Sequence, residues 1–276
     1  MEENLSKDNP QVRLRAFRAI DDPDSCALFV EGHAHVLTSI GVTKVTSSNN
    51  EWTKNPAAFV LIVESIDGRK VYGGARVHVA GGSDLLPIEL ATGHMDKTVY
   101  DLIWNYAQNG TGELCGLWNS REIAGYGIGC IFLIRAAVAI AYQIGLQSLC
   151  ALCAPYTIKP VESVGMEHET SIGNDGTFYY PKLDLLATTM ILRDVATLSK
   201  ADEEDRIAIF KLRDNLKIVR KEVLRKKEVI INYEILIPLL DHWDLNLTID
   251  NAYKNFVKAK AKVADVNERS VSVNIL

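Results

Sequence analysis

Long apolar runs are absent from this chain, and cysteine and histidine are scarce. No uninterrupted apolar stretch could cross a bilayer, and residues 1–10 lack the apolar core of a secretory signal, so we expect a cytoplasmic protein. Five cysteines, an odd number, fit reduced thiols. Cys150 and Cys153 lie three apart in a predicted strand and point to opposite faces, so they cannot form a redox pair. The six histidines lack metal-ligand spacing, which predicts no metal site.

Positive charge is also in short supply. The chain has 30 lysines and arginines against 35 aspartates and glutamates, a net charge of -5. This balance argues against a general nucleic-acid binder, because such proteins hold phosphate backbones mainly with Lys and Arg. With 276 residues, 47% of them hydrophobic, the chain can bury a full core. We expect one large domain, or a domain with an appendage.

Glycines, by contrast, cluster in the middle of the chain. The pattern predicts a strand over 113–118, a glycine-rich turn through Gly125, Gly127 and Gly129, and a helix that stops near Gly145. Such a turn leaves several backbone N–H groups unpaired at the positive end of the helix dipole, where phosphate is the natural ligand. The sequence therefore predicts a site for a group that contains a pyrophosphate.

Two familiar phosphate-binding motifs do not fit this turn. A Walker loop ends in Gly-Lys-Ser/Thr, whose lysine reaches the terminal phosphates, whereas Gly129 is followed by Cys130 and Ile131. The dinucleotide-binding fingerprint requires Gly-x-Gly-x-x-Gly and an acidic residue at the end of the next strand. Here the glycines alternate, and the next strand ends at Cys153-Ala154-Pro155 without an acid.

A third pattern matches better. The turn resembles the pyrophosphate loop of the GNAT superfamily of N-acyltransferases, which reads Gln/Arg-x-x-Gly-x-Gly/Ala and directly follows a central strand. Residues 124–129 match that loop except at its first position, where Ala124 replaces Gln or Arg. A short apolar strand over 148–154 and a short helix ending at Val164-Gly165-Met166 are similar to the family in order and spacing. The alternative is another α/β domain whose glycines serve only close packing.

The resemblance implies a site for an acyl donor, which is acetyl-CoA, a longer acyl-CoA or an acyl carrier protein. In the family, the strand before the loop splays from its neighbour, and its free backbone N–H groups hold the acyl carbonyl and the pantetheine arm. These positions and the loop correspond to Leu117, Trp118, Asn119, Ala124, Gly125, Tyr126, Gly127, Ile128, Gly129 and Cys130. Gly116, within the strand, fits a bulge or a close approach of a ligand to the backbone.

Residues 57–80 predict a β-hairpin with Asp67-Gly68 at its turn. Its segment Gly73-Gly74-Ala75-Arg76 is similar to the N-acyl amino acid synthases and the acyl-homoserine lactone synthases, which carry an arginine here. In the lactone synthases the central strand reads Glu-x-x-Arg, whereas this chain has Glu113 and, in place of the arginine, Gly116. This departure argues against a lactone product and leaves acyl groups longer than acetyl open.

Acyl transfer to an amine needs a base for the ammonium and a proton source for the departing thiolate. Glu113 is the candidate base, because a partly buried carboxylate at the strand start would have a raised pKa; the alternative is an ordinary surface acid. We expect Glu113, Cys115 and Leu117 to share a face. The family's general acid, a tyrosine, is Val161 here. Tyr156 could serve only with a shifted geometry, and water is the alternative.

On the acceptor side, the candidates are Arg76, Trp52 and His94. Arg76 would pair with a carboxylate of the acceptor or form only a surface ion pair. Trp52 would line an acyl pocket or anchor its polar loop.

The fold class expected is α/β (α+β), a GNAT-like, mixed and mostly antiparallel sheet with a splayed central strand pair and helices on both faces. We expect the acyltransferase domain over 1–196 and a C-terminal helical extension over 197–276. There, apolar residues at spacings of three and four from Ile209 to Val223 predict a long amphipathic helix. Its basic face would be solvated, or would approach an acyl carrier protein, an anionic membrane or the second subunit of a homodimer. Other expected elements are helices over 25–40, 96–108 and 249–264 and strands over 12–19 and 183–192.

The predicted function is N-acyl transfer to a small-molecule amine or amino acid, by direct attack of the deprotonated amine on the thioester. No metal and no nucleic acid are expected to take part. The alternative is a non-catalytic GNAT-like domain that binds a CoA thioester or a protein partner, which Ala124 and the missing tyrosine at Val161 keep open.

Overall fold

The computed structural model describes residues 10–39, 41–42, 50–181 and 184–273, and side chains as far as residue 263. Some predictions reach beyond these ranges. The last residue of the helix expected over 25–40 and the first of the strand expected over 183–192 lie outside the described residues. The same is true of residues 1–9, on which the expected lack of a signal segment mainly rests.

Ten strands and seven α-helices make up the described part of the chain. The strands are β1 (Gln11–Arg18), β2 (Ala58–Glu64), β3 (Val71–Val79), β4 (Thr111–Asn119), β5 (Ser148–Cys153), β6 (Glu167–His168), β7 (Thr177–Tyr179), β8 (Leu186–Leu192), β9 (Lys217–Leu224) and β10 (Lys227–Glu234). The helices are α1 (Pro23–Ser39), α2 (Pro87–Thr92), α3 (Thr98–Ala107), α4 (Cys130–Gln143), α5 (Ile158–Ser163), α6 (Glu203–Asp214) and α7 (Leu245–Val273). Within the described ranges, none of the helices combines the length and apolarity that a bilayer span requires.

All ten strands belong to one sheet. Its order is β6-β8-β5-β4-β3-β2-β1-β10-β9, and β7 also pairs with β8. The pairs β1-β10 and β4-β5 are parallel, and the other strand pairs are antiparallel. The predicted mixed, mostly antiparallel sheet is confirmed, and so is the hairpin that β2 and β3 form.

Helices cover both faces of the central strands. Every residue of β2 is buried, because α4 packs on one face of the sheet and α1 on the other. On the α1 side, a Cβ on Gly74 would lie 2.5 Å from the ring of Phe29, so a glycine is needed for this contact. Cys150 and Cys153 of β5 belong to cores on opposite faces, as predicted. The two helical layers therefore enclose the central strands from both sides.

The two central strands separate after a short paired stretch. β4 and β5 are parallel neighbours from the pair Thr111–Ser148 to the pair Glu113–Cys150. β4 continues to Asn119 and β5 to Cys153, with no further pairs between these two described strands. The predicted splay is confirmed, and it leaves the β5-facing backbone of residues 114–119 without strand partners.

Gly116 lies in a bulge of β4, as its position predicts. Gly74 and Arg76 are two positions apart on β3, whereas their partners Trp118 and Cys115 are three positions apart on β4. Gly116 has a φ of +56°, in the left-handed region that glycine adopts most easily. The extra residue is therefore accommodated at a glycine.

The bulge changes which side chains share a face. Glu113, Cys115 and Trp118 lie opposite alternate residues of β3 and point to one side, whereas Leu117 packs against the core of the other side. The prediction that Leu117 shares the face of Glu113 and Cys115 is wrong, because an inserted residue reverses the alternation beyond it.

The C-terminal region contains a hairpin between its helices. α6 ends at Asp214, and β9 and β10 follow it and join the sheet through the parallel pairing of β10 with β1. The predicted long helix is therefore wrong beyond residue 214: Val219 and Val223, part of its supposed buried stripe, are 65% and 59% exposed. The division at residue 196 stays a prediction, and the hydrogen bonds between β1 and β10 cross it.

Candidate active site

A cavity of about 470 Å³ opens between the separated ends of β4 and β5. Residues 113–117 and 151–154 form its two walls, and α1, α2 and the segment around Tyr180 close it. The lining is mainly apolar, with Glu113 and Asp184 as its acidic side chains. The splay thus creates an apolar chamber, the main cavity, beside backbone groups that β5 leaves unpaired.

Glu113 lies on the wall of the main cavity and is 3% exposed. Its Oε2 accepts a hydrogen bond of 2.7 Å from the backbone N–H of Ile88. Burial raises the pKa of Glu113 to about 8; the charge of Glu89 also raises it, whereas the bond from Ile88 and the charge of Arg76 lower it. Such a carboxyl group exchanges its proton near neutral pH, which suits a general base. Its catalytic role remains a prediction.

The helix that holds Glu113 was not expected from the sequence. α2 begins with Pro87, and the Glu89 carboxylate accepts a hydrogen bond of 2.8 Å from the backbone N–H of Leu86. Both features are typical of helix N-termini, so α2 could have been predicted from residues 86–89. Burial raises the pKa of Glu89 to about 7, and a second weakly acidic carboxyl group therefore lies near Glu113.

Arg76 is completely buried on β3. Its guanidinium carbon lies 4.3 Å from the ring centroid of Trp52 and 5.5 Å from that of Phe29. The interpretation of Arg76 as a surface ion pair is therefore wrong. Trp52 is 6% exposed and lines a neighbouring cavity of about 320 Å³ together with Arg76, not the main cavity. Arg76 and Trp52, two of the three acceptor-side candidates, thus meet in one place.

His78 is a residue that sequence reasoning missed. It follows Arg76 by two positions on the same face of β3 and lies opposite Glu113 in the ladder. Only 6% of its surface is exposed. Burial and the charge of Arg76 hold its pKa well below 6.5. Two basic side chains at alternate positions of an otherwise apolar strand were a signal that could have found it.

The glycine loop has the backbone that its sequence predicts. Gly125 and Gly127 have φ values of +84° and +81°, and Gly129 is the N-cap of α4. Apart from its chain neighbours, no described residue has an atom within 4 Å of the place where a Cβ on Gly125 would be. In the orientation that satisfies both of its amide atoms, the Asn119 side chain accepts a hydrogen bond of 3.2 Å from the backbone N–H of Cys130. The loop therefore joins β4 to the positive end of α4.

The tip of the hairpin β9–β10 packs against this loop. A Cβ on Gly127 would lie 2.8 Å from the Cβ of Lys227, and one on Gly129 would clash with the side chain of Leu224. Close packing thus explains these two glycines in part, whereas Gly125 faces open space. The charge of Arg225, at the hairpin turn, opposes the rise that burial causes in the pKa of the thiol of Cys130.

The other predicted residues lie at varied distances from the main cavity. Tyr156 lines it and is 74% exposed. Leu117 also lines it, whereas Trp118 packs edge-on against Phe29 at 5.8 Å in the α1-side core. His94 lines a third cavity, with residues of α3 and α7. The structure therefore brings Glu113, Leu117 and Tyr156 together and leaves His94 apart. Tyr126 and Ile128 of the loop pack against the core beneath α4.

No protein-family model matches the chain, and no curated protein matches it in sequence. Among solved structures, FeeM, an N-acyl amino acid synthase from uncultured soil microbes, superposes with a TM-score of 0.53 at 15% identity, over 71% of this chain and 97% of FeeM. The chain therefore shares the overall fold of this enzyme, a mixed α/β fold with a mostly antiparallel sheet.

Two further solved structures superpose on the chain at lower scores. The AHL synthase LasI has a TM-score of 0.48 at 13% identity, over 72% of this chain and 95% of LasI. BjaI, a CoA-dependent acyl-homoserine lactone synthase solved with SAM and isopentyl-CoA, has a TM-score of 0.46 at 10% identity, over 78% of this chain and 95% of BjaI.

Proposed function

We propose that this protein is an N-acyltransferase, which moves an acyl group from acyl-CoA or an acyl carrier protein to the amine of a small molecule or amino acid. The observation that carries the proposal is the main cavity itself. It opens where β4 and β5 part, next to unpaired backbone groups of residues 114–119 and to the buried carboxyl group of Glu113. An apolar chamber beside fixed donors and a proton acceptor is what acyl transfer requires.

The donor would be held by the glycine loop and the end of β4. The open side of Gly125 and the amides at the start of α4 fit a diphosphate, and the backbone of Leu117, Trp118 and Asn119 would bind the pantetheine arm and the thioester carbonyl. When bound, the thioester supplies an acyl group on a good leaving group. Ala124 contributes no side-chain hydrogen-bond donor to this loop, unlike the family's Gln or Arg.

The chemistry would proceed by direct attack. The Glu113 carboxylate takes a proton from the acceptor's ammonium group and becomes the carboxylic acid. The freed amine attacks the thioester carbon, the C–N bond forms, the C–S bond breaks, and the nitrogen loses its second proton to solvent. The thiolate that leaves is protonated by water or by Tyr156, which lies exposed at the opening of the main cavity. No covalent bond to the protein is needed.

The size of the main cavity favours an acyl group longer than acetyl. Its volume of about 470 Å³ lies within the range of roughly 300–1,000 Å³ that drug-sized ligands fill, and an acetyl group would leave most of it empty. Apolar residues from β5, α1 and α2 would bury the chain. Among the two donors, an acyl carrier protein would meet the cations of the hairpin tip, Arg225, Lys226 and Lys227, close to the loop.

A second candidate, binding without catalysis, has one observation in its favour. Leu224 and Lys227 already occupy the space beside Gly127 and Gly129, and this contact restricts one side of the loop. A domain of this kind would bind a CoA thioester or a protein partner and leave amines unchanged.

The experiment is a thermal-shift series with CoA, acetyl-CoA and long acyl-CoAs, followed by a transfer assay with a panel of amines and amino acids. A ligand that binds the native state raises its stability, so we expect the largest shift with long acyl-CoAs, and acylated amine in the assay. A shift without transfer to any amine would support the binding-only function. No shift with any of these ligands would leave only a carrier-protein donor, tested next with acyl carrier protein.

A further inference from the structure

The third cavity, which His94 lines, has a volume of about 330 Å³. It shares no lining residue with the main cavity. Its walls come from the segment 83–90, from the start of α3 and from α7. The α7 wall consists of residues 255, 258, 259, 262 and 263, a spacing that places side chains on one face of a helix. The third cavity is therefore a gap between α7 and the helices α2 and α3.

Contacts with neighbouring elements hold the α7 wall in place. The ring of Phe256 stacks on that of Trp104 of α3, with centroids 5.7 Å apart. Lys260 pairs with Asp101 of α3 at 2.8 Å, and the Asn255 side chain donates a hydrogen bond of 3.1 Å to the carbonyl oxygen of Gly82. The third cavity thus lies beside a helix that is already anchored, and its walls are formed before any ligand binds.

The rim of the third cavity carries three lysines, Lys97, Lys258 and Lys262. None of them forms an ion pair with another described residue, whereas other lysines do, including Lys260 of the same helix. Lys258 and Lys262 lie four positions apart, where like charges repel each other and destabilise a helix. An anion bound between them would replace this repulsion with two attractions.

Two further donors line the third cavity. Neither the Tyr100 hydroxyl nor the His94 ring has a hydrogen-bond partner among the residues that the structure describes. The Tyr100 hydroxyl lies so close to Gly93 that a Cβ there would clash with it, so the glycine is what allows the hydroxyl this position. The cavity thus offers ammonium, hydroxyl and imidazole groups that lack an acceptor.

The acidic side chains of the third cavity are Asp84 and Glu89. Glu89 is only 5% exposed, and its carboxylate accepts a 2.8 Å hydrogen bond from the backbone N–H of Leu86. Burial raises the pKa of Glu89 to about 7, so near neutral pH a large fraction of this carboxyl group is uncharged. The three lysines therefore outweigh the two acids, and the cavity favours an anionic ligand.

The lining and the size indicate the chemical class of this anion. A phosphate monoester carries about −1.5 to −2 charges and three strong acceptor oxygens, which match three ammonium groups better than one carboxylate does. Lysine is a common phosphate ligand in proteins. The volume of about 330 Å³ exceeds what a phosphate group alone would fill, and Leu85, Leu90 and Val263 give the walls an apolar part. An organic group attached to the phosphate would occupy that space.

We propose that the third cavity is a binding site for a small organic phosphate, separate from the sites for the acyl donor and the acceptor. The three lysines surround the phosphate, Tyr100 and His94 donate hydrogen bonds to its oxygens, and the apolar side chains contact the organic part. The bound ligand joins α7 to α2, the helix that holds Glu113.

The test is calorimetric titration of the full chain in phosphate-free buffer. The probes are glycerol phosphate, glucose phosphate and adenosine monophosphate, each compared with its parent alcohol, and citrate. We expect saturable binding of at least one phosphate and none of its parent alcohol. Because a hydrogen bond to a charged group contributes about 10-fold in affinity, Lys258→Gln and Lys262→Gln should each weaken binding about 10-fold. Lys258→Arg, which keeps the charge, should retain most of the affinity.

Two control variants show where the phosphate binds. Lys254→Gln, at an exposed lysine of the same helix outside the cavity, should leave the affinity unchanged. Lys227→Gln lies beside the glycine loop and should also have no effect, because the predicted donor site is elsewhere. A loss in Lys227→Gln without one in Lys258→Gln or Lys262→Gln would place the phosphate at the loop and overturn the inference.

Three other results would also overturn it: no saturable binding of any phosphate, tighter binding of citrate than of every phosphate, or an equal loss of affinity in Lys254→Gln. The proposal is tested without acyl transfer, so it fails separately from the proposed function. Acyl transfer by a protein that binds no phosphate in the third cavity rejects only this inference, and phosphate binding there without any acyl transfer rejects only the transferase.

Discussion

The carboxylate of Glu113 accepts a 2.7 Å hydrogen bond from the backbone N–H of Ile88, in the first turn of α2. This bond fixes one oxygen of a side chain that is only 3% exposed. Burial nevertheless dominates, and the pKa of Glu113 is raised to about 8. One short helix thus positions the carboxyl group without stabilising its charge enough to keep it ionised at neutral pH.

The first prediction concerns the pH dependence of transfer. Glu113 acts as a base only when ionised, so kcat/KM should rise with pH and level off above about 8. Glu113→Gln keeps the acceptor for the Ile88 N–H and removes the base, and should lower kcat/KM by roughly 10²–10⁴-fold. The acceptor's own ammonium group also titrates, so the pH profile of the wild type must be compared with that of Glu113→Gln. Glu228→Gln, at an exposed acid, should change neither kcat/KM nor its pH dependence.

The second prediction concerns stability. Ionisation of Glu113 should lower the stability of the fold as pH rises, whereas it should increase the transfer activity. The pKa of Glu113 rises from 4.5 to about 8 on folding, so the folded state binds more protons between these values. The free energy of unfolding should therefore fall as pH rises from about 4.5 to 8, and stay constant relative to a non-titrating variant above that. Glu113→Gln should be more stable than the wild type at pH 8, by roughly a few kcal/mol. Urea unfolding at pH 5 and pH 8 measures this, and equal differences at both would contradict it.

The third prediction concerns the bulge. Gly116 has a φ of +56°, and a Cβ there would lie 2.8 Å from Nε and Nη2 of Arg76. Gly116→Ala should cost about 1–2 kcal/mol for the left-handed backbone and more for displacing a buried guanidinium group. Gly125→Ala shares the positive φ but has open space around it, so it should cost only the backbone part. Denaturant unfolding of both variants separates the cost of the left-handed backbone from the cost of displacing Arg76. Equal costs for the two variants would show that Arg76 moves aside without a measurable loss of stability.

The sequence was informative where structure is local. Two apolar segments around Asp67-Gly68 predicted the hairpin of β2 and β3, and the glycine turn predicted the order of β4 and α4. The splay was expected only from the resemblance to the GNAT superfamily. Two results depended on long-range contacts that no local pattern encodes. β9 has apolar spacing compatible with a helix and became a strand because β10 pairs with β1. Its turn residues Arg225 and Lys226 both have positive φ without the usual Asn-Gly signal, so the hairpin was hidden. The cavities, too, depend on how β4 and β5 separate.

The fourth prediction concerns the acyl chain. Ala154 lies just beyond β5 and lines the main cavity, so Ala154→Phe should fill part of it. We expect kcat/KM for long acyl donors to fall at least 10-fold and that for acetyl-CoA to change little, because only the long chain needs the filled volume. The measurement is the ratio of the two rates. Ala196→Phe, at an exposed position, should leave the ratio unchanged, and an equal loss for both donors would indicate general damage to the fold.

The fifth prediction tests how firmly the C-terminal region is joined to the core. Arg135 of α4 binds Asp205 of α6 at 2.5 Å, and its other end lies 4.0 Å from Glu222 of β9. Without Asp205, Arg135 keeps only its longer contacts with Glu222 and, at 3.6 Å, with the exposed Glu204. Asp205→Ala should therefore cost up to about 3–5 kcal/mol, the cost of breaking a buried ion pair. Glu203→Ala, in the same helix turn, breaks only an exposed pair with Arg206 and should cost under about 1 kcal/mol.

Replacing both charges, as in Arg135→Met with Asp205→Leu, should cost less than Asp205→Ala alone, because no buried arginine then loses its nearest partner. Thermal unfolding followed by circular dichroism measures all three variants. If α6 and the hairpin belong to the same cooperative unit as α4, each variant should shift a single transition. A second, earlier transition in Asp205→Ala would instead show that the region after residue 196 unfolds by itself, as the predicted division requires.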